Sequence, residues 1–219
     1  MVRIIYNKAK YNGKIELNEE VLEKLKEVKS VALFASIQFL ELDRVKEQLK
    51  EKGIEILVTK SKRTELEGQI IGCSIYEDNF EKDVIKEADS ILYIGDGMFH
   101  PTALLFSQIG HKIKPIIVFN PVSNSMNIIS EKEIEDKLNK MKVNIKKFIS
   151  SQVVGILISI KPGQQHFFMA EKIKEKLEKQ GKRVYMFVDD KFNFENVENF
   201  NFIDSWINTA CPRIGTEDS

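Results

Sequence analysis

Short, nearly continuous apolar runs alternate along the chain with longer stretches in which apolar residues recur every three or four positions. The runs are 31–36, 54–59, 90–94 and 116–119, then 153–159, 184–188 and 203–208. A strand covered on both faces has no polar side to show, so each run predicts a strand of a mainly parallel sheet. Between them, Leu42, Val45 and Leu49 fall at helical spacing, and Gly53 stands where a C-cap glycine belongs. Ala170, Ile173, Leu177 and Gly181 repeat the arrangement. Pro101 predicts the first turn of another helix, carrying Leu104, Leu105 and Gln108. The stretch 120–127 is polar and contains Pro and Ser; after it, Ser130 with Glu133 predicts a capping box. That box opens a long helix whose apolar face is Ile134, Leu138, Met141, Ile145 and Phe148. Arg3 to Tyr6 reads as a further short strand directly behind Met1, which favours a natural start.

The alternation predicts an α/β architecture. An internal echo refines it. The segment 46–53, Lys-Glu-Gln-Leu-Lys-Glu-Lys-Gly, resembles 174–181, Lys-Glu-Lys-Leu-Glu-Lys-Gln-Gly. Lys/Glu-rich helices resemble each other by composition alone, but the order around these is more specific. In both copies an apolar strand precedes the helix, another follows the glycine, and a further apolar segment runs into a cysteine, Cys73 in the first and Cys211 in the second. The prediction is two related small domains, with mainly parallel sheets flanked by helices, facing a shared cleft. The first spans 1–127 and carries Cys73, 128–150 is a connecting helix, and the smaller second domain spans 151–219 and carries Cys211. Each cysteine is expected at the carboxyl end of a strand, where open α/β sheets place their ligands.

Composition narrows the class of function. The 219 residues carry 33 Lys+Arg against 33 Asp+Glu, and this zero net charge argues against a nucleic-acid footprint or a polybasic membrane anchor. The longest apolar runs fall far short of the roughly 20 residues a membrane helix needs, and the lysine-punctuated N-terminus has no signal-peptide core. A cytoplasmic protein with no membrane partner is expected. The two cysteines are far apart, so no disulfide framework is predicted and a reducing compartment fits. Taken singly, a cysteine at a strand end is ordinarily a small buried hydrophobe. Taken as a pair facing one cleft, Cys73 and Cys211 become candidate thiolate ligands. Structural zinc is disfavoured, because there is no C-x-x-C pair and His100, His111 and His166 lack ligand spacing. An iron-sulfur cluster can be held by three thiolates with one iron open, and this chain supplies two.

Four ordered segments resemble the archaeal diphthamide synthase family, the iron-sulfur enzymes of the first step of diphthamide biosynthesis. They are Gly68-Gln69-Ile70-Ile71-Gly72-Cys73, Ala88 through Pro101 with Gly95-Asp96-Gly97 and His100, Lys161-Pro162-Gly163-Gln164, and Asn208-Thr209-Ala210-Cys211-Pro212-Arg213. The resemblance implies related α/β domains around a central cleft, with one cysteine from each domain holding a 4Fe-4S cluster. It implies a transferase in which the cluster cleaves S-adenosylmethionine to an amino-carboxypropyl radical, and the group passes to a histidine of translation elongation factor 2. Family members have three domains and three cysteines, and this chain resembles the second and third. A separate chain supplying a third cysteine is therefore an expected partner, and a homodimer is suggested.

Cys73 and Cys211 match the family's second and third cluster ligands. Arg213 would offset cluster charge or pair with a substrate carboxylate, unless it is an ordinary surface arginine. Gly95, Asp96 and Gly97 lie between a strand and a helix, where backbone N–H groups can meet a polar ligand, although any tight connection uses such a turn. His100 is a candidate for substrate binding or proton transfer, or a structural residue of the turn. Gln164, and Gln38 in the equivalent loop of the first copy, are candidates for the amino acid moiety of S-adenosylmethionine, or helix caps. The aromatics Phe192, Phe194, Phe200, Phe202 and Trp206 either cover the edge of the second domain or form a partner surface. Two other functions stay open: a non-catalytic subunit or elongation-factor-binding module, and a small-molecule α/β enzyme that has lost the cluster.

Overall fold

The apolar run beginning at Ser30 becomes the centre of a sheet. The computed structural model describes residues 10–72, 79–109, 111–161, 164–192 and 197–211. In it β1 (Ser30–Ala35) is buried at every position. β2 (Glu55–Leu57) pairs parallel with one edge of β1 and β3 (Ser90–Ile94) with the other; β4 (Ile116–Asn120) continues beside β3. The fifth strand, β5 (Ser125–Ile129), runs antiparallel to β4, giving the order β2-β1-β3-β4-β5. Helices α1 (Glu19–Lys24), α2 (Asp43–Glu51), α3 (Val84–Glu87) and α4 (Phe99–Phe106) accompany this sheet. Leu33, Leu92, Ile94 and Phe119 share a core with Val21, Leu25, Val45 and Leu49. Within that layer the buried Gln48 side chain accepts from Leu17 N and donates to Leu17 O, so its burial leaves no polar atom unsatisfied.

After α5 (Glu131–Ser150) a second parallel sheet forms from β6 (Val153–Ser159), β7 (Arg183–Asp189) and β8 (Ser205–Asn208), in the order β7-β6-β8. Val154, Ile156 and Ile158 of β6 pack with Ala170 and Leu177 of α6 (Phe167–Lys179), so the predicted face of α6 is borne out. Gly53 and Gly181 close α2 and α6 at φ 72° and 84°. Ile54 N reaches back to Leu49 O and Lys182 N to Leu177 O, the left-handed helix stop that glycine permits. The chain divides into two compact units, Met1–Ile134 and Glu135–Ser219.

The polar stretch 120–127, beside which the domain boundary is expected, contains a turn and the start of an edge strand. Asn120 Oδ1 accepts from Val122 N at 2.9 Å, Asn124 takes φ 50°, and the chain folds back as β5. The apolar face of α5 is not buried along its length. Ile134 is buried and Phe148 packs against the second core, but Met141 and Ile145 are exposed. The cap at Ser130 forms in part, since Glu133 accepts from the Ser130 N–H at 2.7 Å and from its hydroxyl at 2.5 Å. The predicted strand at Arg3 to Tyr6 lies outside the described residues.

The two units share a construction finer than the echo in sequence. Asp89, just before β3, accepts from Lys29 N and Ser30 N through one oxygen, each at 3.1 Å. Asp204, just before β8, accepts in the same way from Gln152 N and Val153 N, each at 2.8 Å. These two backbone donors hold the Asp204 carboxyl below the usual carboxylate range. Each clamp joins the start of the central strand to the start of its neighbour. A lysine ammonium serves a second shared device: Lys114 donates to the carbonyls of Ile85, Lys86 and Ala88 at the end of α3, and Lys182 to those of Phe148, Ile149 and Ser151 at the end of α5. In both places cationic donors meet the orphan carbonyls of a helix C-terminus.

Candidate functional site

In the first unit the chain leaves β1 toward β2 on one side and later returns as β3 on the other, which makes the carboxyl ends of β1 and β3 a topological switch point. Ser36, Gln38 and the Gly95-Asp96-Gly97 turn gather there. Gly95 N donates to Phe119 O at 3.0 Å, and Gly97 takes φ 72°. Gln38 is exposed in a single 3-10 turn, Ile37–Phe39. Burial holds the His100 imidazole below its ordinary value, and the Asp96 carboxylate pulls it partly back. The ring of His100 stacks near that of Tyr93, with centroids 6.4 Å apart.

Beneath the turn lies a pair of hydroxyls that sequence reasoning missed. Tyr93 is fully buried, and the tip of its ring fills the place where a side chain on Gly95 would be, within 2.4 Å of the ideal Cβ. Among the described residues Tyr93 Oη and Ser36 Oγ both lack a hydrogen-bond partner, although the two are close enough for Ser36 to lower the phenol's pKa. Desolvation dominates and pushes Tyr93 up to about 12, with Asp96 adding to it. The phenol is therefore neutral and can donate. The only trace of the pair in the sequence is a Tyr inside an otherwise aliphatic run and a Ser at the end of another. Because an unsatisfied buried hydroxyl costs about 1–3 kcal/mol, Tyr93→Phe is expected to keep or raise stability, by about 1 kcal/mol in urea unfolding. A clear loss of stability in that measurement would show that the hydroxyl is satisfied in solution.

The approach to Cys73 is described up to Gly72. Ala35 N donates to Gly68 O at 2.8 Å and Ile70 N to Ala35 O at 3.1 Å, so Gln69 sits beside the end of β1. Phe99 then lies directly on Gly72, its ring within 1.7 Å of where a Cβ would be. Cys73 itself lies outside the described residues, as does Arg213.

In the second unit, Cys211 follows β8 on a loop fixed by its own side chains. Thr209 donates to Leu157 O through its N–H at 3.0 Å and its hydroxyl at 2.8 Å. Asn208 accepts from Ala210 N at 2.9 Å and donates to Cys211 O at 2.8 Å. Cys211 is half-buried and carries a free thiol. Gln164 is half-buried before α6; the residue that starts the helix is His166, so Gln164 is not the helix cap. Among the described residues no group of three His, Cys, Asp or Glu is placed to hold a metal, and no helix is long and apolar enough to cross a membrane.

The segment that leads toward Cys73 and the strand that leads to Cys211 occupy different edges of their sheets. Lys29, which receives Glu55 N from β2, and Ala35, which receives Ile70 N, present their carbonyls to the same edge of β1. Thus 68–70 continues the β2 edge, whereas β8 lies on the edge of β6 opposite β7. The strand pairs match as Val31↔Ser90 and Val154↔Ser205. Counting six residues on from each serine reaches Asp96 and Cys211. The positional counterpart of Cys211 is therefore Asp96.

The family model for diphthamide synthesis proteins matches residues 2–219. The 2-(3-amino-3-carboxypropyl)histidine synthase of Pyrococcus horikoshii is 27% identical over 179 residues, covering 81% of this chain and 48% of the relative. The synthase of the same name from Methanocaldococcus jannaschii is 29% identical over 151 residues, covering 68% of this chain and 40% of its own length. Subunit 2 of the Danio rerio enzyme is 31% identical over 101 residues, 46% of this chain and 20% of the relative. The crystal structure of Dph2 from Pyrococcus horikoshii with a 4Fe-4S cluster superposes with a TM-score of 0.72 at 26% identity, covering 90% of this chain and 54% of that one. The chain thus spans about half the length of the relatives it matches. Its mainly parallel α/β sheets agree with that likeness, and the chain belongs to the diphthamide synthesis protein family.

Proposed function

We propose that this chain holds a 4Fe-4S cluster through Cys73 and Cys211, with a third thiolate supplied by another chain. With it the chain takes part in transferring the 3-amino-3-carboxypropyl group of S-adenosylmethionine to a histidine of translation elongation factor 2. The observation that carries the reading is the Cys211 loop, where Asn208 and Thr209 hold the backbone around a half-buried free thiol. Among the described residues the donor that fits such a group is the Cys211 thiol, and Cys73 lies outside them. The bound cluster would supply the electron that cleaves a carbon–sulfur bond of the substrate. The chain's own part is to orient and to exclude water. Neutral His100 can accept or donate a proton at the turn, while Gln38, Gly95, Asp96, Gly97, Gln164 and Arg213 remain the proposed contacts to the substrate.

Anaerobic reconstitution with iron and sulfide tests this, read by iron content and electron paramagnetic resonance. Loading is expected to be weak with the chain alone and full when a homologous chain bearing the third cysteine is added. An EPR-silent, iron-free product in both cases would overturn the cluster assignment. A second reading is a non-catalytic subunit, favoured by the half-length match and by relatives that are named as subunits. It predicts that the mixture transfers label from S-adenosylmethionine to elongation factor 2 as well with Cys211→Ser as with the parent chain.

A further inference from the structure

Strands β3 and β4 run parallel, so α3, which leads into one, and the segment 111–114, which leads into the other, meet at the amino ends of the first sheet. The Gly95-Asp96-Gly97 turn follows β3 at the opposite end. Between α3 and that segment lies a cavity of about 30 Å³, which is room for about two water molecules. Phe80, Ile85, Ser107 and Gln108 form its buried floor. The floor is preformed. The Phe80 ring is anchored against Phe34 with centroids 5.6 Å apart, and Gln108 Oε1 accepts from Lys114 N at 2.8 Å, tying Lys114 to the end of α4. Its polar side chains have no donor to spare, because the Ser107 hydroxyl donates to Leu104 O at 2.9 Å and the Gln108 amide donates to Leu104 O and Lys114 O, each at 3.2 Å.

The charges around this floor do not cancel. Lys82, Lys86, Lys112 and Lys114 border the cavity, and Asp83 is the one carboxylate that does so among the described residues. Asp83 pairs with Lys86 at 3.0 Å. Lys114 gives its three N–H donors to the carbonyls of Ile85, Lys86 and Ala88, so it keeps its charge but has no donor left for a ligand. Lys82 and Lys112 stand exposed at the rim, and neither pairs with a carboxylate among the described residues. Three uncompensated positive charges thus border one small cavity in a chain whose net charge is zero.

The geometry points to a binding site for a small tetrahedral dianion, orthophosphate or the phosphate of a small monoester, held between the ammonium groups of Lys82 and Lys112 with the fixed charge of Lys114 beside it. Three features select that class. The sign of the surplus charge excludes a cation and favours an anion over a neutral molecule. The size of the cavity admits the oxygens of one such group and excludes a base or a sugar ring. The number of uncompensated charges favours a dianion, which three cations attract about twice as strongly as they attract a singly charged carboxylate. Phe80 and Ile85 strengthen the attraction by keeping water from the floor. None of these residues is used in the proposed cluster chemistry, so the inference does not rest on it.

Equilibrium dialysis of the full chain against radiolabelled orthophosphate, with ionic strength held constant by potassium chloride, is expected to show saturable binding. Acetate should compete about tenfold more weakly, and the double variant Lys82→Gln, Lys112→Gln should weaken orthophosphate by about tenfold. The double variant Lys50→Gln, Lys52→Gln, which removes two exposed lysines at the end of α2, should leave binding unchanged. O-phosphoserine as a competitor separates the two sources of the same group: tighter binding than orthophosphate assigns the site to a monoester, and weaker binding assigns it to the free ion. Absence of saturable binding overturns the proposal. So does acetate competing as well as orthophosphate, or an equal effect of the two double variants, which would show a general attraction of anions to surface lysines.

Discussion

Replacing Cys211 by serine is expected to reduce iron incorporation to background while leaving the fold of the second unit intact. The fold should survive because the loop is held by backbone and neighbouring side chains: Asn208 grips the Cys211 carbonyl, and Thr209 grips Leu157 O. None of these bonds involves the sulfur. Iron binding should fail because the cluster takes thiolates, and a serine hydroxyl keeps its proton where a cysteine thiol gives its proton up on binding metal. Iron and sulfide content after anaerobic reconstitution, beside far-ultraviolet circular dichroism, separates the two effects. A variant that loads like the parent would remove Cys211 from the ligand set.

Leu33→Ala is expected to cost about 2–5 kcal/mol of stability in the first unit. Leu33 is fully buried at the middle of β1, and it packs in the same cluster as Leu92, Phe119, Val45 and Leu49. Shortening it removes apolar contacts on the inner face of a strand that has neighbours on both edges, so little can close in to fill the gap. Against the 5–15 kcal/mol typical of a folded domain, that is a large share. Urea unfolding followed by circular dichroism should show the loss in one transition only, because the second unit has its own core around Val154, Ile156 and Leu177. A midpoint unchanged in every transition would mean that β1 is not the centre of the sheet.

What could be read from residues alone follows from how local each cause is. β1, β3 and β6 are legible because a strand covered on both faces must be apolar throughout, and Gly53 and Gly181 because a left-handed stop selects glycine. The edge strand β5 was not, since Ser125 and Asn127 on an exposed edge look like a loop until Asn124 turns the chain back. The helical spacing in α5 was read correctly as a helix, but spacing shows which residues share a side and not whether anything covers it. Pairing is the least local cause of all. That Asp96 answers to Cys211, and that Tyr93 Oη meets Ser36 Oγ without a bond, depends on which strands become neighbours. The aromatic residues near the end of the chain were legible as a group, but only the parity of β6, β7 and β8 puts Phe187, Asp189 and Trp206 on one side.

The aspartate clamps have a consequence for how the chain must assemble. Asp89 reaches back 59 residues to Ser30, and Asp204 reaches back 51 to Val153. Both join parallel neighbours, for which no short hairpin route exists. Each central strand therefore waits, fully apolar, while a long loop finds its end, and the entropy of that closure precedes the contacts that repay it. β1 and β6 are the segments left uncovered meanwhile, and in a crowded cell these two strands are where a newly made chain is open to capture by others of its kind.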